Sequence, residues 1–192
     1  SQAMYALGDK IQAKKLAERA GVPLAPWAEY HATWTDEQLL QEGARIGYPL
    51  MVKASAGGGG RGIRKVRQPE DLPEIVKAVA KDARGIFGDG GILLEACVEN
   101  ARHIEVQFAV NAQGQAFALG VRDCSIQRKN QKVIEEAPSP VLPRNMEQKL
   151  CDATVRLAML TAYRGVGTAE VLYQPHTRHC TFLEVNSRLQ VE

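Results

Sequence analysis

Several things that would classify this chain of 192 residues at once are missing from it. Its four cysteines, Cys97, Cys124, Cys151 and Cys180, lie far apart and form no C-x-x-C pair, which argues against a zinc site. Scattered thiols of this kind fit a cytoplasmic protein, or a mitochondrial-matrix protein if the source is eukaryotic. No apolar run reaches the length of a membrane span and no signal peptide is visible, so no membrane partner is expected. Neither sign of charge dominates: 24 Lys and Arg face 22 Asp and Glu, a net charge of +2 that leaves no general nucleic-acid footprint. Internal repeats are absent, and there is no Gly-Lys-Ser/Thr phosphate loop. What is present, 45% hydrophobic and 24% charged residues, is the composition of an ordinary globular protein with a sizeable core. The opening Ser1-Gln2-Ala3-Met4 and an ending inside a dense polar motif read as a piece of a longer chain.

Hydrophobic periodicity predicts helices after Asp9, placed as a cap, to Gly21; over about 35–46; over about 69–87; and over 146–163, closed by Gly165. The Pro/Trp/Tyr stretch 23–30 reads as irregular, with Trp27, Tyr30 and Trp34 as packing residues. Strands are expected at 50–54, 63–66, 92–95, 102–111, 116–125 and 132–136, and a hairpin at 168–173 and 181–186. Strands adjacent in sequence with helices interspersed indicate an α+β fold with at least two antiparallel sheets.

Chemistry gathers in four places. Gly57 to Gly60 let the backbone approach a ligand closely, but with no helix behind them they read as a strand–loop–strand flap, either a phosphate cover or a mobile hairpin. Lys53, inside the apolar strand before that flap, is either a snorkelling lysine or one with an anionic partner such as phosphate. Glu170 and Glu184, one on each hairpin arm, supply with Asn186 hard oxygen ligands suited to Mg²⁺. The basic run Arg122 to Lys132, between two strands, reads either as a solvated loop or as a donor-rich surface for an anion. At the end of the chain, an extended period places Glu184, Asn186, Arg188, Gln190 and Glu192 on one face and Leu183, Val185, Leu189 and Val191 on a core-like face.

Taken together these segments resemble biotin carboxylases. The resemblance rests on Gly8-Asp9-Lys10, Lys53 with its glycine flap, Arg102-His103-Ile104-Glu105-Val106-Gln107, Arg122 to Lys132, Glu135-Glu136-Ala137-Pro138 and Glu184 to Glu192. Arg122-Asp123-Cys124-Ser125-Ile126-Gln127-Arg128 and Asn186-Ser187-Arg188-Leu189-Gln190-Val191-Glu192 separate it from other ATP-grasp ligases, such as the carbamoyl-phosphate synthetase large chain. The resemblance implies an ATP-grasp fold: an N-terminal helix and linker over 1–25, a small lid over 26–97, and part of a larger antiparallel-sheet lobe over 98–192.

It also implies roles. Lys10, Lys53 and Gly58, Gly59 and Gly60 would meet the triphosphate, Glu95 and the backbone of Val98 the adenine, and His103, Gln127 and Asn130 the ribose side. In many members a His stands at the position of Asn130. Glu170, Glu184 and Asn186 would hold Mg²⁺ (or Mn²⁺). Lys132 would face bicarbonate or the γ-phosphate; Arg188, Gln190 and Val191 would hold bicarbonate, and Glu192 would deprotonate it. The implied activity is carboxylation of biotin from Mg·ATP and bicarbonate through carboxyphosphate, within an acyl-CoA carboxylase. Biotin would arrive on a carrier domain, with a carboxyltransferase as further partner and an oligomeric parent enzyme. Two alternatives stand beside it: a nucleotide-binding fragment without catalysis, and an ATP-grasp ligase with another acceptor.

Overall fold

The structure, a computed structural model, describes residues 6–56, 62–88, 90–129, 131–188 and 190. The expected sites at Gly58, Gly59, Gly60, Asn130, Val191 and Glu192, and the expected core residue Leu189, lie outside the described residues. The chain divides into two compact units, one formed by Asp9–Ile11 with Ala25–Val98, the other by Ser1–Gly8, Gln12–Leu24 and Glu99–Glu192.

The smaller unit is a four-stranded sheet with two helices. Its strands are β1 (Trp27–Tyr30), β2 (Leu50–Ala54), β3 (Ile63–Val66) and β4 (Ile92–Ala96), in the antiparallel order β1-β4-β2-β3. The stretch expected to be irregular therefore contains an edge strand. Trp27, Ala28, Glu29 and Tyr30 pair with β4, and Tyr30 stacks edge-on against Trp34 at 5.8 Å. Helix α2 (Asp36–Ile46), which follows α1 (Lys10–Arg19), starts on a reciprocal cap in which Thr35 and Gln38 satisfy each other's backbone N–H. In α3 (Leu72–Phe87), Leu72, Val76, Val79 and Ala83 recur at helical spacing and are fully buried. They pack on Leu50, Val52 and Leu94, which alternate along β2 and β4.

The larger unit is a five-stranded antiparallel sheet in the order β7-β6-β5-β8-β9. It is built from β5 (Arg102–Val110), β6 (Ala116–Arg128), β7 (Gln131–Glu136), β8 (Gly165–Gln174) and β9 (His179–Asn186), with α4 (Arg144–Leu160) between β7 and β8 in sequence. Along β5 the even residues Ile104, Val106, Phe108 and Val110 are buried in the core, with Leu150 and Leu157 of α4 in the same clusters. The odd residues His103, Glu105 and Gln107 take the other face, so one strand divides the unit into a core side and a polar side.

Three expectations are corrected. The run Arg122 to Lys132 is not a loop: β6 continues to Arg128 and pairs with β7, with register shifts after Asp123 and Ile126. The helix closes at Leu160 rather than at Gly165, because Ala162 turns at φ 50 and Gly165 opens β8. In β9 the register jumps so that Glu170 pairs with Glu184 but Val171 pairs with Phe182. The extra residue, Leu183, is only partly buried, and Phe182 joins Val185 in the core instead.

Candidate functional site

Cross-strand register builds the polar face of the larger sheet. Arg122 of β6 lies opposite Glu105 of β5, Glu105 opposite Glu170 of β8, and Glu170 opposite Glu184 of β9. One row thus runs guanidinium, acid, acid, acid across four strands. The next row places Gln107, Thr168 and Asn186 side by side. Directly opposed residues sit about 5 Å apart, where like charges repel. Three adjacent carboxylates therefore need cations or donors, and the neighbouring residues supply them.

Glu105 is fully buried and accepts from Arg122 Nη2 at 2.7 Å and from Lys132 Nζ. Burial alone would push its carboxyl up. The hydrogen bonds from Arg122 and Lys132 outweigh burial and hold it below the ordinary glutamate value. Burial would likewise push Lys132 and Arg122 down, and the hydrogen bond and charge of Glu105 hold both above their ordinary values. The triad therefore stays ionised across the physiological range. Cys124 lies near it, its thiol pushed up to about 12 by burial and then by the charges of Glu105 and Glu135, so it does not offer a thiolate nucleophile.

Glu170 is the hinge of the row. Its Oε1 accepts from Asn186 Nδ2 at 2.7 Å and its Oε2 lies 3.0 Å from His103 Nε2, while Lys132 Nζ stands 3.7 Å from Oε1. His103, Glu105 and Glu170 bring three ligand atoms within 4.8 Å of one another, and Glu184 pairs with Glu170 from β9. Hard oxygens from Glu170, Glu184 and Asn186, on a row with an excess of acid, suit a magnesium ion. Gln190, just beyond β9, accepts from Arg122 Nη2 at 2.8 Å and from Thr168 Oγ1 at 3.0 Å, so it joins the same cluster. Arg188 stands exposed after the strand ends at Asn186, and the extended period of the terminal motif stops there.

The smaller unit holds the other expected contacts. Lys53 and Glu95 are buried and paired with each other across β2 and β4. Lys53 opposes Leu93, and Glu95 opposes Met51, so the pair is a diagonal one. The anionic partner of Lys53 in this structure is thus the very residue expected at the adenine. Lys10 is buried, its backbone N–H donating to Ser55 O at 3.2 Å, and Ser55 Oγ donates to Asp9. Val98, half-buried, ends the unit.

The structure thus gathers His103, Gln127, Lys132, Glu170, Glu184, Asn186 and Gln190 on one sheet face, and holds Lys10, Lys53 and Glu95 in the other unit. Arg122, from the donor-rich basic run, belongs to that face as well, and so do Glu105, Gln107 and Thr168, to which the sequence assigned no site role. Their signal was present for β5, where polar residues 103, 105 and 107 alternate with apolar 104, 106 and 108.

Comparison with known proteins places the chain in a family. A biotin carboxylase of Nostoc sp. is 42% identical over 191 residues, covering 100% of this chain and 42% of that protein. The urea amidolyase of Saccharomyces cerevisiae is 46% identical over 186 residues, covering 97% of this chain and 10% of that protein. The biotin carboxylase domain dimer of Hydrogenobacter thermophilus 2-oxoglutarate carboxylase, solved with MgADP, ADP and bicarbonate, superposes with a TM-score of 0.89 at 39% identity, over 98% of this chain and 41% of that one. The chain therefore spans well under half the length of the proteins it matches, and the fold is ATP-grasp. The family model for the carbamoyl-phosphate synthase L chain, ATP-binding domain, matches residues 9–192, and this chain belongs to that family.

Proposed function

We propose that this chain is the ATP- and bicarbonate-handling part of an enzyme that carboxylates biotin. The observation that carries the reading is the row Arg122–Glu105–Glu170–Glu184, with Lys132, Asn186 and Gln190 gathered on it. Its mixture of cations, acids and amides suits a magnesium-bound anion better than an apolar ligand. A magnesium ion held by Glu170, Glu184 and Asn186 would draw charge from the phosphate oxygens.

The chain's own residues do the rest. Lys10, Lys53 and the glycines Gly58 to Gly60 bind the triphosphate, Glu95 and Val98 meet the adenine, and His103, Gln127 and Asn130 line the ribose side. Arg188, Gln190 and the backbone of Val191 orient bicarbonate, and Glu192 takes its proton. A bicarbonate oxygen then attacks the γ-phosphorus and ADP leaves with the bonding pair, giving carboxyphosphate. Lys132 and Arg188 offset the repulsion between the two anions. Carboxyphosphate breaks down to CO₂ and phosphate; the phosphate takes the ureido N–H proton of biotin, and that nitrogen attacks the CO₂ carbon. Biotin on a carrier domain and a carboxyltransferase complete the proposed reaction sequence, with an acyl-CoA as final acceptor. Urea is a second reading for that acceptor, favoured by the 46% identity to a urea amidolyase.

The test is ADP release by the whole enzyme containing this chain, with Mg·ATP and ¹⁴C-bicarbonate. Biotin-stimulated turnover with label fixed on biotin is expected. Bicarbonate-dependent ATP cleavage indifferent to biotin would replace this reading with an ATP-grasp ligase using another acceptor. Transfer of label to acyl-CoA or to urea then separates the two acceptors.

A further inference from the structure

His103 stands beside two carboxylate oxygens and one amide, and its two ring nitrogens are engaged differently. Nε2 lies 3.0 Å from Glu170 Oε2 and 3.7 Å from Glu105 Oε1. Nδ1 lies 2.7 Å from Gln127 Nε2. The orientation of the Gln127 amide is not a free choice, because the same Nε2 lies 2.8 Å from the carbonyl oxygen of Cys124, which can only accept. The NH₂ group therefore faces both the carbonyl and the ring. One of its protons goes to Cys124 O, and the other points at Nδ1, which must accept it.

We infer that Gln127 is a positioning residue that fixes the tautomer of His103: Nδ1 accepts from Gln127, so the ring proton sits on Nε2 and is donated to Glu170. The Glu170 carboxylate is then held at both ends, by His103 on Oε2 and by Asn186 on Oε1. With both oxygens oriented, its remaining lone pairs face a fixed direction, which is how outer-sphere hydrogen bonds sharpen a metal ligand. The backbone is tied as well. Ser125 Oγ accepts from the His103 N–H at 2.8 Å and donates to Asp123 Oδ1 at 2.5 Å, and Arg102 Nε donates to Asp123 Oδ2 at 2.9 Å. Those contacts sit at the first register shift between β6 and β7, after Asp123, and the second shift immediately precedes Gln127. The irregular strand thus brings Gln127 under the ring. This differs from a role for His103 and Gln127 as ribose contacts alone.

The tautomer stands on hydrogen-bond geometry; its effect on metal affinity rests on the proposed function. Both are measured on this chain, uniformly ¹⁵N-labelled, in long-range ¹H–¹⁵N spectra of its four histidines, with the His103 signals identified by their loss in His103→Gln. In the unsubstituted protein Nδ1 is expected at the position of an unprotonated ring nitrogen and Nε2 at that of a protonated one. Gln127→Met, of similar length and without donors, is expected to give a mixture of tautomers. Gln127→Glu, which offers an acceptor in place of the donor, is expected to move Nδ1 to the protonated position. Both variants should weaken Mn²⁺ binding in the presence of ADP about 10–100-fold, followed by Mn²⁺ paramagnetic resonance. A protonated Nδ1 in the starting protein overturns the assignment. So do variants that weaken Mn²⁺ binding while the His103 spectrum stays unchanged, for Gln127 would then act as a plain contact. Altered tautomers with unaltered Mn²⁺ affinity overturn the link to Glu170. Failure of the unsubstituted protein to bind Mn²⁺ at all counts against the proposed function and leaves the tautomer result to stand or fall by its spectrum.

Discussion

Buried ionic contacts join Lys53 to Glu95 and Glu105 to Arg122 and Lys132, and each resists simple deletion. Lys53 is 7% exposed and Glu95 5%, so Lys53→Met takes the ammonium away from a carboxylate that stays inside the protein. Breaking such a pair from one side costs about 3–5 kcal/mol, whereas replacing both partners with neutral groups costs far less. Urea unfolding should therefore show a large loss for Lys53→Met and a smaller one for Lys53→Met with Glu95→Gln. Loss of ATP affinity in the double variant, read by calorimetry, then reports the contact to phosphate rather than a disturbed fold. For Glu105 the sign follows from its depressed carboxyl. A group that ionises more readily folded than unfolded adds stability above its ordinary value of 4.5, and that stability is lost as pH falls through the lower folded value. Glu105→Gln should cost about 3–5 kcal/mol near pH 7, since Arg122 and Lys132 keep their charges. The gap between the two proteins should narrow on acidification below 4.5, and a gap constant from pH 7 to pH 3 would rule this account out. Part of this scale was legible: Lys53 in an apolar strand left a choice between a snorkelling lysine and one with an anionic partner such as phosphate, and the structure pairs it with Glu95. The contact between His103 and Gln127 was not legible, because it joins residues 24 apart through an irregular strand whose register alternation does not reveal.

At the level of elements, β8 and β9 decide where the acids stand, and their close approach at Gly167 leaves no room for a side chain. A Cβ there would meet Phe108 Cζ at 2.5 Å, Phe108 Cε1 at 2.9 Å and the backbone oxygen of Asn186 at 3.1 Å. Gly167→Ala should therefore destabilise by about 1–3 kcal/mol. Because relief requires Phe108 or the end of β9 to move, it should also weaken Mn²⁺ binding at the site proposed at Glu170, Glu184 and Asn186. Unchanged Mn²⁺ affinity in a destabilised variant would show that Phe108 alone gives way. The cap of α2 is a separate, simpler case: Thr35→Ala removes a side-chain acceptor for Gln38 N–H and should cost about 1 kcal/mol by thermal unfolding, with the sheet site untouched. Helix periods, the capping signal and the alternating strands were readable because each depends on neighbours in sequence. The bulge at Leu183 and the shifts after Asp123 and Ile126 were not, because they answer to the partner strand: Val171 takes Phe182 as its neighbour, and one residue of β9 must be passed over. The edge strand β1 was hidden for a similar reason, its four residues being strand only by virtue of pairing with β4.

For the whole molecule, the two units bury separate sets of side chains. Leu50, Val52, Leu94 and the apolar face of α3 form one core, while Phe108, Leu157, Phe182 and Val185 belong to another. Both tryptophans of the chain, Trp27 and Trp34, fall in the smaller unit, so their fluorescence reports that unit, whereas far-ultraviolet circular dichroism reports helices and strands of both. Leu94→Ala and Leu157→Ala each remove a side chain that is 2% exposed or less, a change worth about 2–5 kcal/mol in the unit concerned. If the units unfold separately, Leu94→Ala shifts the fluorescence midpoint in urea, and Leu157→Ala shifts the dichroism curve while leaving the fluorescence midpoint in place. A fluorescence midpoint that moves equally under both substitutions would mean one cooperative transition. The distinction bears on function, because Lys10, Lys53 and Glu95 lie in one unit and the acidic row in the other. ADP, met by Lys10, Lys53 and Glu95 in the smaller unit and by His103 and Gln127 in the larger under the proposed function, should raise both the fluorescence and the dichroism midpoints. Mn²⁺ without nucleotide should raise only the dichroism-detected transition of the larger one, since a ligand stabilises the part whose folded form it binds.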